Sequence, residues 1–141
     1  MASQLKVDTI TGVTTAGSVV VTGEGNSTTT NLQPGLAKSW WQYDQTNNQT
    51  DGSFNVSSIS DDSTGIYTPT LTNAQSSITD RSVLLTTNHE NADTNGGVTC
   101  LRHDKSGSYT TSAISVEVHL FDDYAVTDRN HNFGAVLGDL A

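Results

Sequence analysis

The segment from Ala113 to Phe121 alternates strictly between two kinds of side chain. One set is wholly apolar and the other largely polar: Ile114, Val116, Val118 and Leu120 against Ser115, Glu117, His119 and Phe121. A period of two is typical of a β-strand that is buried on one face only. The segment therefore predicts a strand that lines a core, and it limits the chain to folds in which a sheet has one covered face.

Further short strands are predicted wherever apolar or β-branched residues stand between turn residues. They cover residues 38–44, 54–59, 66–72, 81–87, 98–103 and 133–137, with polar loops at 47–52, 61–65 and 88–97. Pro69 has no amide donor, so we expect its strand at a sheet edge or a bulge. One short helical turn is expected between Leu71 and Ile78. Because the pattern contains no long helix, it predicts an all-β fold, an antiparallel, jelly-roll-like β-sandwich.

Residues 1–36 differ from the rest because they contain no aromatic residue and are rich in Thr and Gly. Such a stretch holds too little bulk to pack on itself and gains order by pairing with something else, most simply with copies of itself. We interpret it as an extended N-terminal arm for anchoring and trimerisation, ahead of a head domain at 37–141. Pro34 and Gly35 mark the boundary. The arm's expected contact residues are Leu5, Val7, Ile10, Val19, Val21 and Leu32.

Composition and charge limit the partners of the chain. Leu, Ile, Val and Phe make up 30 of 141 residues, against 22 Thr and 16 Ser, so the core is thin and oligomerisation would add burial. The net charge of −9 repels a phosphate backbone, so no nucleic-acid partner is expected. The longest apolar run, Val19–Val21, is far too short to cross a membrane. Without a secretory signal pattern and with Cys100 alone, we expect the chain to be made and assembled in the cytoplasm.

Adjacent tryptophans are the most informative candidate site. Trp40 and Trp41 must point to opposite faces of their strand, so only one fits a core. The other is expected at a subunit interface or, less often, against a sugar ring, a role open to Tyr109 as well. The four histidines lack zinc-site spacing, and Asp128, Asn130, Asn132 and Asp139 match a calcium loop only partly, so no metal and no cofactor are expected. The sequence offers neither a pair of carboxylates suited to glycoside cleavage nor an activated nucleophile, so no enzyme activity is expected.

Three segments resemble short virion structural proteins of marine bacteriophages, of the tail-fibre, fibre-tip or decoration type. They are residues 5–40, 53–74 and 133–141, although Pro34 stands where a polar residue is expected. The resemblance implies a virion component, a homotrimer with a β-sandwich head, that contacts other virion proteins of tail or capsid. Three hypotheses follow: a fibre subunit for assembly and host attachment, a capsid decoration protein, or a lectin-like module for host polysaccharide, formed by loops at 45–52, 88–97 and 105–110.

Overall fold

The computed structural model describes residues 6–11, 19–22, 29–32, 36–88, 97–102, 109–120 and 124–138. The chain divides into two compact units, Met1–Leu36 and Ala37–Ala141. In the first unit, β1 (Val20–Thr22) and β2 (Thr29–Asn31) form an antiparallel pair. The apolar side chains of Val7, Ile10, Val20 and Val21 are all more than half exposed. That the first unit acts as an arm stays a prediction.

In the described residues of the second unit, hereafter the head, eight strands form two antiparallel sheets. The strands are β3 (Ala37–Asp44), β4 (Gln49–Phe54), β5 (Val56–Ser63), β6 (Ile66–Leu71), β7 (Ser82–Asn88), β8 (Gly97–Leu101), β9 (Val116–Leu120) and β10 (His131–Leu137). The first sheet has the order β4-β3-β10-β7 and the second the order β5-β6-β9-β8. The predicted all-β sandwich is confirmed, since both four-stranded sheets contribute to one core.

The core is built from a few large side chains that meet between the sheets. Trp41, Tyr43 and Val136 come from the first sheet. The other buried residues of this hydrophobic core are Tyr67, Leu71, Ile114, Val116 and Val118. Trp41 donates its indole N–H to the Tyr67 hydroxyl at 3.5 Å, and the rings of Tyr43 and Tyr67 lie 5.1 Å apart. Aromatic bulk therefore compensates for the small number of aliphatic residues.

Gly134 makes room for the largest of these side chains. It lies directly opposite Trp41 in the pairing of β10 with β3. A β-carbon at this position would come within 2.0 Å of Trp41 Cζ2, far inside van der Waals contact. The missing side chain of Gly134 thus allows Trp41 to lie flat over the strand.

A single residue, Asn55, connects β4 of the first sheet to β5 of the second. β4 ends at Phe54 and β5 begins at Val56, with Asn55 between them in the left-handed backbone region at φ 55°. The Asn55 amide donates to the carbonyls of Lys38 (3.0 Å) and Asn73 (3.3 Å), and its Oδ1 accepts from the Asn73 amide (2.8 Å). Asparagine suits this position because it tolerates a positive φ and satisfies nearby backbone groups.

The structure corrects four details of the predicted strand pattern. Residues 49–52 belong to β4 rather than to a loop, and Asp61 and Asp62 lie within β5, so the turn is confined to Thr64 and Gly65. The expected helical turn at 71–78 is absent from that described segment, which contains bends and an isolated bridge residue, Gln75. Strand β9 begins at Val116, although Ile114 ahead of it is still fully buried.

Pro69 lies in an interior strand, so of the two expected positions, a sheet edge or a bulge, the edge is wrong. β6 pairs with β5 on one side and with β9 on the other. The Pro69 carbonyl accepts from the Ile114 amide at 3.1 Å, so the side of Pro69 that lacks a donor faces residues 113–115, ahead of β9. The ladder between β6 and β9 includes Ile66 and Tyr67 of β6 and does not reach Pro69. An interior strand tolerates proline at this position because its neighbour is locally irregular.

Candidate functional site: an uncharged apolar face of the first sheet

A row of apolar side chains crosses the outer surface of the first sheet. Phe54 is paired with Trp40, Trp40 with Ala135, and Ala135 with Leu84, so the row includes one residue from each of the four strands. Residues directly opposite each other in antiparallel strands point to the same face, with β-carbons about 4.5–5.5 Å apart. Since Trp41 and Val136 point into the core, this row points away from it.

A second row lies beside the first one. Gly52 is paired with Gln42, Gln42 with Phe133, and Phe133 with Thr86. We call these two rows of four the apolar face, and it consists of Gly52, Phe54, Trp40, Gln42, Phe133, Ala135, Leu84 and Thr86. The face contains three of the larger apolar side chains that the head leaves exposed, with Trp40 at 44%, Phe54 at 54% and Leu84 at 58% exposure.

The shape of the apolar face depends on small residues among the large ones. A β-carbon on Gly52 would lie 3.3 Å from Cζ3 of Trp40, so the Trp40 ring lies over the position that a larger residue would fill. A groove of about 370 Å³ runs along Leu84, Thr86, Phe133 and Ala135 beside the two tryptophans. The face is therefore a shallow, mostly apolar surface of the kind that another flat surface can cover.

The apolar face carries no charge in a strongly acidic protein. None of its eight residues is ionisable, whereas the chain as a whole has a net charge of −9. Depletion of charge with enrichment of aromatic residues is the compositional signature of interface centres. Two copies of a chain with this charge repel each other, and a neutral face is where they approach with the least electrostatic cost.

The sequence-predicted site residues lie in three different settings. Trp41 is 1% exposed and fills the core, whereas Trp40 is on the apolar face, so only Trp40 presents its ring for an outside contact. Tyr109 packs against the core, and the guanidinium carbon of Arg81 lies 4.4 Å from its ring centroid. One side of the Tyr109 ring is thus covered, which leaves less of it for a sugar.

The predicted arm residues all belong to the first unit. Val7, Ile10 and Val21 are exposed, Val19 and Leu32 are half-buried, and Leu5 lies outside the described residues. In the described part of the first unit, the backbone bond from the Leu32 amide to the Val19 carbonyl, at 2.8 Å, extends the β1–β2 pair.

The partial calcium-loop spacing does not correspond to a cation loop. Asn132 is fully buried in β10, where its amide donates to the carbonyls of Arg129 (2.8 Å) and Tyr43 (3.3 Å). Asp128 accepts from the backbone amide of Gly65 at 2.6 Å. Both residues serve the fold, and Asp139 lies outside the described residues.

The contribution of Phe54, Leu84 and Phe133 to the apolar face was missed in the sequence. Each of them stands in or beside a predicted strand, but only the pairing of β3 with β4 and of β10 with β7 places them in rows with Trp40. Leu84 and Phe133 hold outward positions in alternating strands, which points to a surface contact only when the neighbouring strands are known. Phe54 lies in β4, which does not alternate.

Comparison with known proteins adds no relative to this description, because no protein family model, no curated protein and no solved structure matches the chain. Within the described residues, the structure contains no helix with the length and apolar character needed to cross a membrane.

Proposed function

We propose that this chain is a structural subunit of a bacteriophage particle, a fibre subunit that performs no chemistry and assembles as a homotrimer through the apolar face. The observation that supports the proposal most is the uncharged row of Phe54, Trp40, Ala135 and Leu84 across all four strands of one sheet. The resemblance of residues 5–40, 53–74 and 133–141 to phage virion proteins supports the same assignment.

The exposed part of this row contributes to association. Aromatic side chains bury about 150–250 Å² each, so the half-exposed Trp40, Phe54 and Leu84 together leave roughly 300 Å² uncovered per subunit. At about 25 cal/mol per Å² this area contributes about 7 kcal/mol for each subunit that covers it. A trimer involves two associations, each of which costs about 4–15 kcal/mol, so this row supplies part of the driving force and the rest of the interface must supply the remainder.

Three copies would cover one another's apolar faces if each of them turned its first sheet toward a common axis. In this arrangement residues 1–36 of each subunit would dock onto another virion protein, and the opposite sheet would face outward to meet the host surface. A capsid decoration subunit would use the same face and the same trimer, so the two locations differ in the docking partner rather than in the head.

Polysaccharide binding is the second candidate, and one observation favours it: Trp40 and Phe133 present rings in adjacent rows of the apolar face. Aromatic platforms of this kind stack against sugar rings. The loop-based form of this hypothesis has less support. Residues 49–52 belong to a strand, Gln45 is 2% exposed and donates to Asp61 at 3.3 Å, and Tyr109 is partly covered.

Light scattering and sedimentation of the purified full-length chain test the proposal, and a trimer is expected. In Leu84→Glu, assembly would bury an unpaired carboxylate, which costs several kcal/mol, so the dissociation constant should rise by at least about a hundredfold. Ile78→Glu is the matched control because Ile78 is 39% exposed and stands outside the apolar face. It should remain trimeric.

Four outcomes would contradict the proposal in whole or in part. A monomeric parent at micromolar concentration removes self-association, and a Leu84→Glu variant that assembles normally removes the apolar face as its interface. A monomer that binds host polysaccharide and loses it in Trp40→Ala would instead establish the second candidate. A dimer would keep the face as an interface but would overturn the threefold arrangement.

A further inference from the structure

Three side chains with metal-binding atoms meet on the second sheet of the head. β8 and β9 pair with Cys100 opposite Glu117 and Val98 opposite His119. Glu117 and His119 are two residues apart and so lie on the same face of β9, which places all three side chains together. The thiol sulfur, a carboxylate oxygen and an imidazole nitrogen all lie within 4.8 Å of one another.

The cluster is on the outer face of the sheet and is partly shielded. Val116 and Val118, which alternate with its members along β9, are fully buried on the opposite face. The side chains of Glu117 and His119 are each 24% exposed, and Cys100 is exposed. An ion could therefore enter from solvent, and the rigid strand pairing holds the ligands on a fixed backbone.

The hydrogen bonding of His119 prepares it to be a ligand. Its Nδ1 lies 2.8 Å from the main-chain carbonyl of Tyr124. A carbonyl oxygen only accepts, so Nδ1 carries a proton, and whenever the ring is neutral Nε2 presents its lone pair. Ligating histidines usually have such a carbonyl contact on the second nitrogen. Tyr124 has a left-handed backbone at φ 58°, an uncommon conformation for a tyrosine.

Nε2 of His119 and Oε1 of Glu117 lie 3.5 Å apart, so with a neutral imidazole two groups that accept hydrogen bonds face each other. A second proton on the imidazole would make this contact a simple ion pair. Such a pair would involve only His119 and Glu117 and would leave Cys100 without a part in the cluster. The Cys100 sulfur lies 3.6 Å from the main-chain carbonyl of Glu117, a weak bond that keeps it at the cluster.

The geometry points to a three-ligand site for a zinc-type dication, formed by Cys100, Glu117 and His119 with a fourth position open. Thiolate, imidazole and carboxylate are the ligands of Zn²⁺, which binds sulfur at about 2.3 Å and nitrogen or oxygen at about 2.0–2.2 Å. Tetrahedral binding at these lengths separates the ligand atoms by roughly 3.3–3.8 Å. A closure of about 1 Å by side-chain rotation therefore completes the site.

Charge balance favours a dication at this place. On binding, the Cys100 proton leaves to solvent, and the thiolate, the Glu117 carboxylate and the neutral imidazole carry two negative charges, which the ion neutralises. Imidazole and thiolate ligands select zinc-type ions over Mg²⁺ and Ca²⁺, which prefer oxygen. The inference does not depend on the proposed function, because the cluster lies on the second sheet and self-association was assigned to the first.

Titration of the tag-free, full-length protein with Co²⁺ tests the site. A thiolate bound to Co²⁺ gives a charge-transfer band in the near ultraviolet, and Cys100 is the only cysteine of the chain, so the band reports this residue alone. We expect one equivalent of Co²⁺ to bind, Zn²⁺ to displace it, and the band to be lost in Cys100→Ser. Glu117→Gln and His119→Gln should each weaken binding at least tenfold, as losses of a ligand do.

His131→Gln is the matched control, since His131 stands on β10 of the other sheet and its loss should leave the titration unchanged. If Cys100→Ser fails to fold, the unaltered protein gives a second measurement: Zn²⁺ should slow the alkylation of Cys100 by iodoacetamide at least tenfold. The inference is overturned if saturating Co²⁺ gives no band, if His119→Gln binds as tightly as the parent, or if Zn²⁺ leaves alkylation unaffected.

Discussion

Replacement of Gly134 by alanine is a sharp test of the core and of the strand register. The added methyl carbon would lie 2.0, 2.3 and 2.5 Å from Cζ2, Cε2 and Cη2 of Trp41. Carbon atoms that are not bonded prefer a separation of about 3.5–4.0 Å. The indole ring or the backbone of β10 must therefore move by more than an ångström.

Neither movement is easy in this structure. Trp41 is 1% exposed and donates to the Tyr67 hydroxyl, while β10 is paired on both sides, with β3 and β7. Overpacking of a core typically costs about 1–3 kcal/mol, and we expect Gly134→Ala near the upper end, about 3 kcal/mol. In a domain of about a hundred residues, this corresponds to a fall in Tm of roughly 12 °C or more.

Chemical denaturation and thermal melting of the full-length chain measure this loss. Gly52→Ala is the matched control: its methyl would lie 3.3 Å from the exposed Trp40 ring, which has room to tilt, so we expect a loss below about 1 kcal/mol. Combining Gly134→Ala with Trp41→Phe should cost less than the sum of the two single changes, because the smaller ring leaves room for the methyl. A Gly134→Ala protein within about 0.5 kcal/mol of the parent would refute the register that places Gly134 over Trp41.

Two further changes have expected outcomes. Burial raises the pKa of Tyr43 to about 12, and the nearby carboxylates of Asp61 and Asp128 add to the effect. The unfolded chain releases this proton near pH 10. The free energy of unfolding should therefore be level below about pH 10 and fall as the pH rises toward about 12. Denaturant midpoints across this range should fall less in Tyr43→Phe, and an equally steep fall would contradict the assignment. Asn55→Ala removes the bonds to Lys38 and Asn73 and places alanine at a positive φ, so urea unfolding should show a loss of at least about 2 kcal/mol, and an unchanged midpoint would contradict this role.

The sequence predicted those parts of the fold that depend on local alternation. Three members of the predicted apolar set, Ile114, Val116 and Val118, do line the core, whereas Leu120 is only partly buried. Adjacent Trp40 and Trp41 do point to opposite faces. The prediction missed β4 and the end of β5, where polar residues continue as strands. Every described residue of β4 except Gly52 is exposed, so this edge strand has no buried side to give an alternating pattern, and its pairing with β3 maintains it.

Neither candidate site could be read from the sequence alone. The apolar face exists because Phe54, Ala135 and Leu84, which are distant in sequence, pair into one row with Trp40. In the same way, Cys100 joins Glu117 and His119 only through the register of β8 against β9. A one-residue change of register would turn the partners to opposite faces, so such sites become visible only once strand order and register are known.

The position of β3 in the first sheet affects how the head would resist a mechanical load. The chain enters the head at Ala37, the first residue of β3, and this strand pairs with β10 from Ala37 to Tyr43 and with β4 from Trp40 to Asp44. A pull on the preceding residues would therefore load two ladders, whereas a strand at a sheet edge is held by one ladder alone. A subunit held by its first residues would thus be loaded through an interior strand of its first sheet.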